Sequence, residues 1–254
     1  MVKLVDKNFD TMLAFCSRDS FGTRIAASVK AYSSLKSGSL FWIQTVNENV
    51  TAAVSRVDGV ITVCVDLNNA DCRELISFLN TVGFISIVSD YRFFDKLKIQ
   101  PTKSGVIVEF IKTPEPKSNV EIFVTKSDDY KKAYSMLKLC GFEDIGDYQN
   151  WSADISLRVR RNASELYLAE HNNIVCASAS VLFLTETAAF LGGICTLSEY
   201  RGMGIAKSLV SQIATKLSMQ NKTVSLFCKD SLVTFYEKTG FKKTGNWAIK
   251  NNGE

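Results

Sequence analysis

The stretch over residues 191–207, LGGICTLSEYRGMGIAK, constrains this chain more than any other. An apolar run leads into a turn with glycines at 202 and 204, after which Ile205, Leu209, Ile213 and Leu217 recur every four residues. That pattern spells strand, tight turn and one-sided helix. Glycine removes the Cβ where the main chain must bend sharply or approach a guest. The first turn of a helix offers N–H groups without internal partners and the positive end of its dipole. A turn built this way receives an anion, and phosphate is its natural guest. Arg201 and Lys207 flank it, one as a planar fork and the other as a point charge.

The spacing narrows the guest. A nucleotide P-loop needs G-x-x-x-x-G-K-[ST], but Arg201 stands where its first glycine would fall. A dinucleotide turn, G-x-G-x-x-G, would need glycine at position 207, which is Lys207. ATP and NAD are disfavoured by these mismatches. The residues do spell R-x-x-G-x-A as Arg201, Gly202, Met203, Gly204, Ile205 and Ala206, preceded by Thr196 and Leu197. This closely resembles the coenzyme A pyrophosphate loop of the GNAT superfamily of N-acetyltransferases. The resemblance spans about residues 119–250 and includes LVTFYEKTGF, similar to the family's helix ending Tyr-x-x-x-Gly-Phe. Asp230 and Val233 replace the usual Asn and Ala of that helix, and with seven residues after Trp247 the family's seventh strand is expected to be missing.

The resemblance implies acetyl-CoA as cofactor and an amine acceptor. It implies that the fourth and fifth strands of the domain splay apart, so that backbone N–H groups near Ile194 and Cys195 face the thioester carbonyl, with Thr196 and Leu197 continuing the contact. Residues 201–207, Arg201 through Met203 to Lys207, then take the pyrophosphate. Tyr236 becomes the candidate general acid for the departing thiolate. Cys195 invites a covalent route, but nothing near it in sequence lowers a thiol pKa, so direct transfer is expected. Glu170 and Glu186 are weak candidates for a base, and Glu199 suits a structural role. Tyr148, Trp151, Arg158, Arg160 and Arg161 fall where acceptor recognition is expected, with Arg158 and Arg160 on one face if that segment is extended. The rival reading, from a different class, is a non-catalytic acyl-CoA-binding or regulatory interaction module.

Composition excludes other classes. The 254 residues are 46% apolar, enough for one large or two small cores. A net charge of +4, spread evenly over both halves, gives no polycationic surface for nucleic acid or an anionic membrane. No apolar run reaches the roughly 18 to 20 residues of a membrane span. MVKLVDKNFD lacks the core of a signal peptide, so a cytoplasmic protein is expected. Seven cysteines without a C-x-x-C pair read as reduced, mostly buried thiols and argue against a metal site. The single histidine, His171, lies in Glu170-His171-Asn172-Asn173, a hairpin-turn composition.

Organisation follows from the period of the apolar residues. Residues 1–35 read as a short strand and helical material, 40–65 as three strands, with Asp58-Gly59 as a tight hairpin, and 72–82 as a helix closed by Gly83. TPEPKS carries two of the chain's three prolines and reads as a connector. The expected division is a degenerate GNAT-like domain over 1–113, a linker over 114–118 and a GNAT domain over 119–254. The fold class is mixed α+β, with a central, mostly antiparallel twisted sheet flanked by helices. In the second half Asp128 is read as a helix cap, residues 148–154 as irregular, and the chain order as βααβββαβαβ. Residues 61–84 echo 223–241, with Leu79 where the second copy has Tyr236, so no cofactor is expected in the first half. A monomer or homodimer is expected.

Overall fold

The computed structural model describes residues 1–35, 38–111 and 121–253. The chain divides into two units, one of residues 1–107, 228–230 and 244–254, the other of 108–227 and 231–243. The connector expected at 114–118 lies outside the described residues.

The first unit runs β1 (Val2–Leu4), α1 (Asp10–Cys16), α2 (Ser20–Tyr32), β2 (Ser39–Val46), β3 (Asn49–Val57), β4 (Val60–Val65), α3 (Cys72–Val82), β5 (Ser86–Asp90), α4 (Tyr91–Lys96) and β6 (Lys103–Phe110), with β6 from Val108 onward falling in the second unit. Strands β1 to β4 form an antiparallel meander, and β5 adds parallel to β4. Asp58 and Gly59 take φ of 49° and 77°, the left-handed pair that a two-residue hairpin demands, and this pins Val57 opposite Val60. Trp42, Val54, Val63, Leu75, Leu79, Phe93 and Phe94 close the core between sheet and helices.

The second unit runs β7 (Phe123–Ser127), α5 (Tyr130–Leu139), α6 (Tyr148–Arg160), β8 (Glu165–His171), β9 (Ile174–Leu184), β10 (Ala188–Thr196), α7 (Ile205–Met219), β11 (Thr223–Cys228), α8 (Val233–Glu237) and the start of β12 (Phe241–Asn251). Strands β7 to β10 are antiparallel, and β11 pairs parallel with β10. Asn172 and Asn173, with φ of 50° and 63°, make the tight turn read around His171. Ile205, Leu209, Ile213 and Leu217 of α7 are at most 1% exposed. Ser211, which lies off that stripe, is also fully buried, so the packed face is wider than the apolar spacing alone implies.

Three local readings are corrected. Residues 148–160 are helical rather than irregular, because Asp147 accepts a hydrogen bond from the Asn150 N–H (2.9 Å) and starts α6. Arg158 and Arg160 therefore do not share a strand face. Arg158 lies over the Phe183 ring at 4.8 Å and donates to the Leu182 carbonyl, so it is committed to packing. Helix α5 is capped by Asp129, accepting from the Lys132 N–H, rather than by Asp128.

Both units repeat one element order, βααβββαβαβ, which moves the internal echo by one strand-helix step. Helix α3 follows the third strand of its meander, as α7 does, and α4 takes the place of α8. YRFFDK of α4 then aligns with VTFYEK, and the counterpart of Tyr236 is Phe94, not Leu79.

The last strand separates from the domain expected over 119–254. Trp247–Asn251 pairs antiparallel with Asp90–Ser86 of β5, and Ala248 is buried in the first unit's core. The Trp247 indole N–H donates to the Cys228 carbonyl at 3.3 Å. A chain ending at Lys243 is thus expected to lose hydrogen-exchange protection at the β5 amides that face β12 while keeping it in β8 and β9. Unchanged protection of those β5 amides contradicts this assignment.

Candidate active site

The site begins with a defect in β10. Gly192 stands opposite Ser180 and Cys195 opposite Ser178, so β10 spends one more residue than β9 between these pairs. Gly193, with φ of 58°, supplies the conformation for that bulge. On the other side, the ladder with β11 stops at Leu191 opposite Leu226. Beyond it, Gly192–Thr196 has no β11 partner among the described residues. A bulge facing a ladder that has ended leaves main-chain donors of β10 available to a guest.

Thr196 leads through a single 3-10 turn, Ser198–Tyr200, to Arg201, whose Nε donates back to the Thr196 carbonyl at 3.1 Å. Gly202 and Gly204 have φ of 79° and 78°, and a Cβ at Gly202 would meet open space. Gly204 is the N-cap of α7 and brings no side-chain hydrogen bond to it. Elsewhere, α2, α3, α4, α5 and α6 each begin on an aspartate whose carboxylate accepts from the first-turn N–H groups. The start of α7 therefore leaves its first N–H groups to an external acceptor.

These elements line one cleft of about 560 Å³ in the second unit. Ile194, Cys195, Thr196, Arg201, Gly202, Gly204, Ile205, Ala206, Lys207 and Tyr236, all expected from the sequence, lie on its wall. Leu197 and Met203 do not. Leu197 turns into the cluster of Met136, Leu137 and Cys195 and donates its N–H to the Cys176 carbonyl. Cys140, Phe142, Tyr200, Leu232 and Phe235 also line the cleft. Cys140 and Phe142 come from the loop after α5, far from the glycine turn in sequence, and no motif marks them. The Tyr236 ring is 6% exposed and rests edge-on to Phe235 and Phe241, at 5.0 and 5.9 Å. The Thr196 hydroxyl oxygen is buried without a partner, which fits a hydrogen-bonding guest at this point.

Cys195 is a poor nucleophile. Burial above all pushes its thiol up to about 12, and its Sγ sits 3.2 Å from the Ser178 hydroxyl. His171 lies outside the cleft, its Nδ1 2.8 Å from the Glu121 carbonyl and its ring edge-on to Tyr200 at 6.3 Å. Glu170, Glu186 and Glu199 are not among the lining residues.

The corresponding helix start in the first unit is filled from within. Asp71 accepts from the Arg73 and Glu74 N–H groups at 3.1 and 2.9 Å. Glu74 stands in the same turn, accepting from the fully buried Gln44 amide at 2.8 Å. Two carboxylates thus hold the place where α7 offers bare N–H groups, and a phosphate there would meet like charge.

Residues 162–243 match the model of the acetyltransferase (GNAT) domain, whereas no curated protein matches the chain. A Drosophila protein shares the fold over 98% of both chains, with a TM-score of 0.68 at 12% identity. A tandem GNAT protein from the clavulanic acid biosynthesis pathway covers 98% of this chain and 97% of its own, with a TM-score of 0.62 at 10% identity. A GNAT-family acetyltransferase from Colwellia psychrerythraea covers 98% of both, with a TM-score of 0.56 at 13% identity. The fold is that of a tandem GNAT arrangement, and the region 162–243 is similar to a domain class whose members use acetyl-CoA. No described helix is long and apolar enough to cross a membrane.

The raised Cys195 pKa has a direct consequence. Its thiolate appears only as the pH approaches about 12, so alkylation of Cys195 at pH 8 should run about a thousandfold slower than that of an unperturbed thiol with pKa near 8.5. Site-resolved iodoacetamide labelling across pH 7–11 checks this, and a plateau near pH 9 would contradict it.

Proposed function

We propose that the protein transfers the acetyl group of acetyl-CoA directly to a primary amine of a small molecule or peptide, in the cleft of the second unit. The observation that carries this reading is the convergence on one cleft of the β10 bulge, the uncapped start of α7 and Tyr236. Acetyl-CoA, when bound, supplies an activated acyl thioester. Backbone N–H groups near Ile194 and Cys195 meet the charge that develops on the carbonyl oxygen, and Thr196 extends that contact. The N–H groups of residues 204–207 at the start of α7 hold the pyrophosphate, with Arg201 and Lys207 adding charge-assisted hydrogen bonds. The Tyr236 hydroxyl holds the proton that the departing sulfur takes. Cys195 acts through size and position, since its thiol stays protonated at neutral pH.

The cleft wall contains no aspartate, glutamate or histidine among the described residues. An acceptor must therefore arrive largely deprotonated or lose its proton to water. An α-amine, with a pKa near 7.7 to 8.0, meets that condition far better at neutral pH than a lysine amine near 10.4. The first unit, with Asp71 over its helix start and Phe94 at the tyrosine position, is proposed to hold no cofactor.

Calorimetry with acetyl-CoA tests the site. Binding is expected in the wild type and lost in Gly204→Glu, which combines a strained left-handed backbone with a carboxylate at the phosphate position. Binding that survives this change contradicts the site. Tyr236→Phe should lower kcat by about tenfold or more with little change in cofactor affinity, as expected for loss of a proton donor. A wild-type protein that binds acetyl-CoA yet releases no thiol with any amine, amino acid or peptide would instead be a binding module.

A further inference from the structure

A pair of cysteines recurs in both units. Met12-Leu13 and Cys16 at the end of α1 match Met136-Leu137 and Cys140 at the end of α5, and Cys64 near the end of β4 matches Cys195 near the end of β10. In the first unit the pair is sealed. Cys16 and Cys64 are 1% and 0% exposed, and the Cys64 thiol donates to the Asp19 carboxylate at 3.4 Å. In the second unit the pair is open. Cys140 packs against Cys195 in the cluster with Met136 and Leu137, the two thiols interact, and both side chains lie on the cleft wall.

We propose that Cys140 and Cys195 form a reversible dithiol modification site in the cofactor cleft, closed to a disulfide by oxidants of the peroxide class. Cys140 is half-buried and reaches solvent more readily than Cys195. It is the thiol that attacks: its sulfur, having lost its proton, bonds to one peroxide oxygen, the O–O bond breaks, and water or an alcohol leaves with that proton. The Cys195 sulfur then attacks the sulfur of the resulting Cys140 sulfenic acid. The S–S bond forms as the S–O bond breaks, and the hydroxyl leaves as water with the Cys195 proton. Two thiols are oxidised and one peroxide is reduced. Cys195 takes the second, resolving step because it packs against Cys140, and its raised thiol pKa makes that step the slower of the two.

The disulfide would draw the loop of Cys140 and Phe142 onto β10 beside its bulge, because two sulfurs in contact must close to about 2.05 Å. On the reading of the cleft as the acetyl-CoA site, on which this consequence rests, the cross-link obstructs the strand that receives the thioester. Oxidation then lowers cofactor affinity, and a thiol reductant restores it. Such a site would link acyl transfer to peroxide level.

The test uses the full chain, reduced and then treated with hydrogen peroxide. Peptide mapping is expected to find a Cys140–Cys195 link, with Cys16 and Cys64 still free thiols. Acetyl-CoA affinity, measured by calorimetry, should fall by about tenfold or more and return with dithiothreitol. Cys140→Ser, compared with its own untreated form, should gain no link and keep its affinity through the peroxide treatment. Absence of the link, or a link formed without loss of affinity, overturns the inference. A reduced protein that binds no acetyl-CoA overturns the cofactor reading instead, and the peptide map still decides whether the dithiol closes.

Discussion

The second unit is organised around a helix that does not cap itself. Every α-helix needs acceptors for its first N–H groups, and an aspartate at the N-cap meets that need at a gain of about 1 kcal/mol. This chain uses that solution from α2 to α6. At α7, its longest described helix, it places a left-handed glycine with no side chain at all. The arrangement gives up local stabilisation unless another anion supplies the acceptors. The adjoining strand reinforces the same point, since its bulge and its early parting from β11 leave more backbone donors beside the glycine turn.

The two units make the contrast plain because they share one order of elements. Where the second leaves the helix start bare, the first covers it with Asp71 and sets Glu74 in the same first turn, tied to Gln44. Where the second has Tyr236, the first has Phe94, fully buried and without a hydroxyl. The scaffold is repeated while these residues are not. The differences are small: a carboxylate in place of glycine at a helix start and one phenolic oxygen.

Much of this was legible in the sequence, for physical reasons. The glycine turn, the period-four stripe of α7 and Tyr-x-x-x-Gly-Phe are local patterns, and local patterns carry backbone geometry directly. Asp58-Gly59 and Asn172-Asn173 announced their hairpins through the left-handed conformations that these residues tolerate. Long-range pairing was not legible. Nothing in TGNWAIKN says that the last strand lies along β5, because an apolar strand does not name its neighbour. Cys140 and Phe142 were missed for the same reason, being brought to the cleft only by the packing of α5 on β10. Residues 148–154 read as irregular because their polar composition hides the start of a helix, 148–160, whose inward face is short, with Ile155 as its one buried residue.

The proposed function requires that only the second helix start receive a phosphate-bearing cofactor. Hydrogen–deuterium exchange with and without acetyl-CoA tests it at the level of single segments. Protection is predicted over residues 202–207 and 194–196, with none gained over residues 71–74 at the start of α3. Protection appearing at α3, or absent from the glycine turn while acetyl-CoA is bound, would contradict it.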